Sequence, residues 1–203
     1  MFLKPTLATT PLAAAMLAAA LTSGLFGHFS ANAADSTVKT RKTGPEVGQL
    51  AKDFQLEAVA GKRSGEVKLS DLTGDAPVVI AVLRGFPGSH CPACAGQVAD
   101  LVKHARHFRQ RNIEVLLIYP GPAAALRSKA KDFLQGSKLP SPFTMLLDPD
   151  YAFTNAYGLR WNSPHETAYP TTIVIGKDGK IDFVNISRTH RGRTAATTVL
   201  DQF

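Results

Sequence analysis

RGFPGSHCPACAGQ, residues 84–97, holds both cysteines of this 203-residue chain, Cys91 and Cys94, with a proline and an alanine between them. Before it, PVVIAVL at 77–83 is a continuous apolar run with β-branched residues, the pattern of a strand buried on both faces. After it, Val98, Leu101, Val102, Ala105 and Phe108 recur at helical spacing, while Lys103, His104, Arg106, His107 and Arg109 fill the other positions. That pattern predicts one helix from Pro92 to about Arg111. The cysteines therefore lie where a buried strand turns, through Gly85, Phe86, Pro87 and Gly88, into a helix.

In that register Cys91 is the N-cap and Pro92 the first helical residue, where a missing N–H costs nothing. Ala93 and Cys94 then present N–H groups without intrahelical partners to the Cys91 sulfur. Such donors favour a thiolate, lowering a cysteine pKa from about 8.5 into the range ~3.5–7.5. A protonated His90 would act in the same direction. Cys94 lies one turn further on the same face, close enough for a disulfide. The expected arrangement is one exposed, activated sulfur and a second that resolves a mixed disulfide.

Other uses of the pair fit less well. A disulfide closing so small a loop contributes only about 2 kcal/mol on the chain-entropy estimate, against ~4.7 for a hundred-residue loop. A structural zinc site needs four ligands, usually two such pairs. A redox pair is the preferred reading, with no cofactor and no metal.

The leader sets the compartment. Residues 1–34 contain a single charged residue, Lys4, then an alanine-rich apolar run and Ala31-Asn32-Ala33. This reads as a signal peptide over 1–33 and hence an exported, periplasmic or otherwise extracytoplasmic protein. An uncleaved anchor is the competing reading, because the uncharged span is long enough to cross a bilayer. No second long apolar run follows, so no stable membrane insertion of the mature chain is expected. The formal net charge is +7. The basic clusters Lys39, Arg41, Lys42 and Arg188, Arg191, Arg193 read as solvated surface, with weak attraction to acidic partners as the alternative. No nucleic-acid motif accompanies them.

Residues 34–52 are polar and aperiodic, a linker or leader strand, and 53–203 form one domain. FQLEAVAG and EVKLSDL flank Gly-Lys-Arg-Ser-Gly as a hairpin. IEVLLIY and FTMLLD are further strands, AAALRSKAKDFLQ and DYAFTNAYG helices, TTIVIG and KIDFVNIS a second hairpin, and TAATTVLDQF a closing helix. The order predicts an α/β fold: a central mixed β-sheet with helices on both faces. Tyr169-Pro170 precedes the strand TTIVIG, an awkward place for proline unless it makes a tight cis turn. An ordinary trans proline ending a loop is the alternative.

From about Gly44 to Arg193 the chain resembles the alkyl hydroperoxide reductase and thiol-specific antioxidant family, the peroxiredoxin-like branch of the thioredoxin fold. The resemblance rests on RGFPGSHCPAC, LLDPDYAFTNAYGL and YPTTIVIGKDGKI in that order. It implies a thioredoxin-like fold in which Pro170 is cis and faces the cysteines, with Trp161, His165 and Tyr169 beside the site as substrate contacts.

The resemblance divides over mechanism. Pro87 to Cys94 has the peroxiredoxin spacing of a proline, a hydroxyl residue and the peroxide-attacking cysteine, but Cys91 takes the hydroxyl's place. The family's arginine would fall at Pro170 and is absent; Arg84 is the candidate to supply a guanidinium instead. Thiol-disulfide exchange is therefore favoured, with Cys91 as nucleophile, Cys94 as resolving thiol, thiols or disulfides as partners and an unidentified electron donor or acceptor. The alternative is a thiol peroxidase attacking peroxides through Cys94, with Cys91 resolving. A third reading is copper binding by the cysteine pair with His165 or His190.

Overall fold

The computed structural model describes residues 44–86 and 91–203. The leader and its anchor alternative, residues 34–43 and His90 lie outside the described residues. Among these residues, seven strands form one sheet: β1 (Gln55–Gly61), β2 (Gly65–Lys68), β3 (Val78–Val82), β4 (Glu114–Gly121), β5 (Phe143–Pro149), β6 (Thr171–Ile175) and β7 (Ile181–Ile186). Their order is β2-β1-β5-β4-β3-β6-β7. The central β3, β4 and β5 run parallel, and β1 and β6 flank them antiparallel. The outer strands β2 and β7 close antiparallel hairpins, as the turn residues predict.

The apolar run at β3 is buried throughout because its alternating side chains feed two cores. Val79, Ala81 and Leu83 join one cluster, and Val78, Ile80 and Val82 the other. The first is covered by α1 (Pro92–Lys103), α2 (Ala105–Gln110), α3 (Ala123–Leu134) and α5 (Ala196–Leu200), through residues such as Leu101, Phe108, Leu126 and Val199. The second is covered by α4 (Ala152–Ala156), through its Phe153 and the adjoining Tyr157. Fully burying Leu101 or Phe108 stabilises the fold by about 1.5–3 kcal/mol each.

The single helix expected over 92–111 is two. His104 donates from Nδ1 to the Asp100 carbonyl at 2.9 Å, and its own N–H turns to the Leu101 carbonyl at 3.0 Å. The side chain thus takes the acceptor that the next helical bond would use, and α1 ends there. The short α4 is instead held from below. The buried Asp148 carboxylate accepts from the Phe153 and Thr154 N–H groups at 2.7 and 3.1 Å.

Residues 48–51 run beside the start of β7, where Gly48 donates to Ile181 O at 2.8 Å and Ala51 to Gly179 O at 2.9 Å. The turn after β3 is pinned to β4: Leu83 N–H bonds Ile118 O at 2.9 Å and Phe86 N–H bonds Pro120 O at 2.8 Å. Between them Gly85 has φ +68°, and a Cβ there would overlap the Pro120 carbonyl. Only glycine lets the chain pass this close to β4 before α1 begins.

Candidate active site

Local capping places the first sulfur. Cys91 caps α1 with extended backbone, Pro92 is the first helical residue, and the Cys94 N–H donates to Cys91 Sγ at 3.3 Å. Of the two N–H groups expected to face the sulfur, Cys94 supplies this bond. No disulfide joins the two cysteines in this structure. The expectation of an exposed Cys91 needs correction: it is 9% exposed and Cys94 1%, because α1 turns both sulfurs into the core above β3. They line a cavity of about 640 Å³ with Gly85, Phe86, Tyr119 and Phe133.

The electrostatics separate the two sulfurs. The Cys94 thiol donating to Cys91, then the Cys94 N–H and the Arg193 charge, hold Cys91 well below the ordinary thiol pKa. Cys94 is pushed up, first by being the donor in that pair and then by burial. One proton shared between two close sulfurs leaves Cys91 as the thiolate and Cys94 as the thiol. Burial also raises the Tyr119 phenol to about 12, so the cavity wall beside the sulfurs carries a neutral hydroxyl.

The guanidinium comes from a residue that sequence reasoning assigned to the surface. Arg193, in the loop after β7, places Nη2 at 3.1 Å from Cys94 Sγ and 3.6 Å from Cys91 Sγ. Its Nη1 donates to Gln97 Oε1 at 2.8 Å. Arg84, the expected source, contributes its backbone N–H to Cys94 Sγ at 3.4 Å. Its side chain turns away because Glu166 captures it, Nε to Oε2 at 2.8 Å, while Nη2 donates to His165 O at 2.7 Å. A mostly buried carboxylate cannot be left unpaired, and Arg84 is its partner.

Pro170 also departs from expectation. Its preceding peptide is trans; the cis bond among the described residues is Ser141–Pro142. Pro170 stands one residue before β6, where no ladder N–H is required of it, and its carbonyl accepts from Ser187 N–H at 2.8 Å. Trp161 and Tyr169 stack on one another with centroids 4.8 Å apart, and Arg188 lies over the Tyr169 ring at 4.4 Å. His190 packs on Trp161 at 5.2 Å and bonds Glu166 Oε1 at 2.9 Å. These residues form one cluster with Arg84, joined to the sulfurs through the Arg84 N–H. Neither histidine of the copper reading is brought to the cysteines: His190 is directed at Glu166, and the exposed His165 offers its carbonyl to Arg84. Among the described residues no group of three His, Cys, Asp or Glu side chains is placed to hold a metal.

A central mixed sheet whose strand β3 leads into a cysteine-capped helix defines a thioredoxin-like protein. More particularly, the model of the AhpC/TSA family matches residues 47–184, and the chain belongs to that family. It is 26% identical over 110 residues to the 1-Cys peroxiredoxin PER1 of Hordeum vulgare, covering 53% of this chain and 46% of that protein. The match thus spans about half the length of that relative. Among solved structures it is similar to the reduced 2-Cys peroxiredoxin of Plasmodium vivax, with TM-score 0.60 and 22% identity over 76% of this chain and 94% of that one. It is also similar to AhpC of Enterococcus faecalis, with TM-score 0.62 and 18% identity over 78% and 90%.

Proposed function

We propose that this chain is a two-cysteine thiol peroxidase in which Cys91 attacks the peroxide and Cys94 resolves it. The observation that carries this reading is the Arg193 guanidinium against both sulfurs, at 3.6 and 3.1 Å. A fixed cation there stabilises the Cys91 thiolate and the negative charge that develops on the departing peroxide oxygen. Family membership and the likeness to peroxiredoxins support it, and a trans Pro170 removes the thioredoxin-type feature that favoured simple exchange.

The chemistry proceeds in two displacements. Cys91 thiolate attacks one oxygen of the peroxide; an S–O bond forms, the O–O bond breaks, and the departing alkoxide or hydroxide takes a proton. Cys91 is left as a sulfenic acid, the first rung of cysteine oxidation. The Cys94 sulfur then attacks the Cys91 sulfur; the S–S bond forms, and the hydroxyl leaves as water with the Cys94 proton. An external thiol pair restores both cysteines by exchange. The peroxidase roles are thus reversed from the sequence expectation, since a deeply buried, proton-bearing Cys94 suits resolution better than attack.

Thiol-disulfide exchange is the second reading, favoured by the activated Cys91 and by the loss of a hydroxyl at its position. The two are separated by reacting each single-cysteine variant with hydrogen peroxide and with a disulfide under stopped flow. Cys94→Ser should consume one equivalent of peroxide and hold a sulfenic acid on Cys91, while Cys91→Ser should be inert. Rapid peroxide consumption by Cys91→Ser would reverse the roles. Wild type that ignores peroxide yet exchanges disulfides rapidly would replace this reading with the second. We also read the leader as an export signal; intact-mass analysis showing residues 1–33 retained would refute it.

A further inference from the structure

We propose that Tyr119 is a further catalytic residue of this site, the hydroxyl that gives its proton to the peroxide oxygen departing when Cys91 attacks; this rests on the peroxidase reading. Tyr119 is the last of three β4 residues, after Val115 and Leu117, whose side chains alternate onto the core face beneath α1 and α3. The turn leading from β3 to Cys91 is bonded to both its neighbours, Leu83 N–H to Ile118 O at 2.9 Å and Phe86 N–H to Pro120 O at 2.8 Å. Between those two bonds the Arg84 N–H reaches Cys94 Sγ at 3.4 Å. The phenol therefore stands at the level of the sulfurs and lines one cavity with Cys91, Cys94, Phe86 and Phe133.

Tyr119 is only 6% exposed, yet among the described residues its hydroxyl has no hydrogen-bond partner, whereas the buried Tyr157 hydroxyl donates to Lys52 O at 2.5 Å. A buried phenol normally finds a partner, and the cavity is where a substrate oxygen would supply one. The ring itself is held by Phe133, with centroids 5.5 Å apart.

Cleaving the O–O bond leaves a basic oxygen that needs a proton. Arg193 stabilises its charge, but a guanidinium does not give up a proton. The Cys94 proton is held between the two sulfurs and leaves in the second displacement. The charged residues of the cavity belong to the exposed side of α3, where Lys129 pairs with Asp132 at 3.4 Å and Lys131 is exposed. Tyr119 is the buried acid that remains. As the S–O bond forms, the O–O electron pair passes to the departing oxygen, which takes the phenol proton and leaves as water or alcohol. The phenolate then regains a proton from solvent. Burial pushes the phenol up to about 12, so it stays protonated at neutral pH. It is nevertheless a stronger acid than water at about 15.7, so the transfer to hydroxide or alkoxide runs downhill.

The test is Tyr119→Phe, which keeps the ring and its contact with Phe133. Single-turnover rates of the reduced full chain are measured by stopped flow with hydrogen peroxide, tert-butyl hydroperoxide and peracetic acid, and alkylation is followed with iodoacetamide. A general acid contributes ~100-fold or more and solvent can replace part of that, so the first two rates should fall at least about tenfold. Acetate and iodide are stable anions that leave without a proton, so the peracetic acid and iodoacetamide rates should stay near wild type. Wild-type rates with hydrogen peroxide in Tyr119→Phe would overturn the proposal. Equal slowing with all four reagents would overturn it too, because that marks displaced sulfurs and not a missing proton. A wild type inert to all three peroxides would sink the peroxidase reading and this role with it, whereas a reactive wild type matched by Tyr119→Phe sinks this role alone.

Discussion

Arg193 places a guanidinium nitrogen 3.1 Å from the Cys94 sulfur, against a pair of thiols that hold one proton between them. Replacing it with methionine should lower kcat/KM for hydrogen peroxide on the order of 100-fold, the usual cost of removing one charge-stabilising donor. Arg193→Lys should recover little, since a point charge cannot contact Gln97 and the sulfurs at once. Stopped-flow rates with both variants check this; undiminished turnover in Arg193→Met would remove the arginine from the mechanism.

Cys91, held below the ordinary thiol pKa, sets the pH dependence. Its alkylation rate should rise with pH through that lowered value and level off before about pH 8.5, where a free thiol is half ionised. The linked stability has the sign of an acid with a depressed folded pKa. It is fully present above the unfolded value of about 8.5 and is lost as pH falls through the folded value. Denaturant melts of reduced wild type and Cys91→Ala, run side by side, should show a gap that widens as pH rises from acid to about 8.5, above which the raised Cys94 thiol works in the opposite direction.

The Arg84–Glu166 pair is mostly buried, at 15% and 10% side-chain exposure. Glu166→Gln leaves Arg84 facing a neutral amide and should cost about 3 kcal/mol, the price of breaking such a pair from one side. For a domain of this size that lowers Tm on the order of 10 °C. The double variant Arg84→Met with Glu166→Leu should recover most of the loss, because neither charge remains to be compensated. Calorimetry of the three proteins decides it.

Gly85→Ala forces a Cβ onto the Pro120 carbonyl at a positive φ. Backbone must move on one side or the other, so the chain leading to Cys91 shifts with it. We expect a loss of at least about 2 kcal/mol from strain together with slowed peroxide reaction. Gly74→Ala, at φ +100° with open space around its Cβ position, should show the backbone strain without the loss of rate. Equal rates in both variants would mean that the Gly85 approach does not position the site.

What the sequence determined was whatever depends on near neighbours or on periodicity. The apolar run at 77–83 must be buried on both sides, and Cys-Pro at the start of an amphipathic stretch must cap it, because those bonds span three or four residues. The tertiary structure decided which distant side chains complete the site. Arg84 was a reasonable guanidinium by proximity, but Glu166, 82 residues later, binds it first. Arg193 looked like one of three surface arginines and reaches the sulfurs across 99 residues, a contact with no periodic or local signal. The lone hint was Gln97, a polar residue on an apolar helix face that needed a buried partner. Capping and alternation are properties of a chain segment, whereas the partner of a long charged side chain is chosen by whatever opposite charge or acceptor the fold brings within 3 Å or so of it.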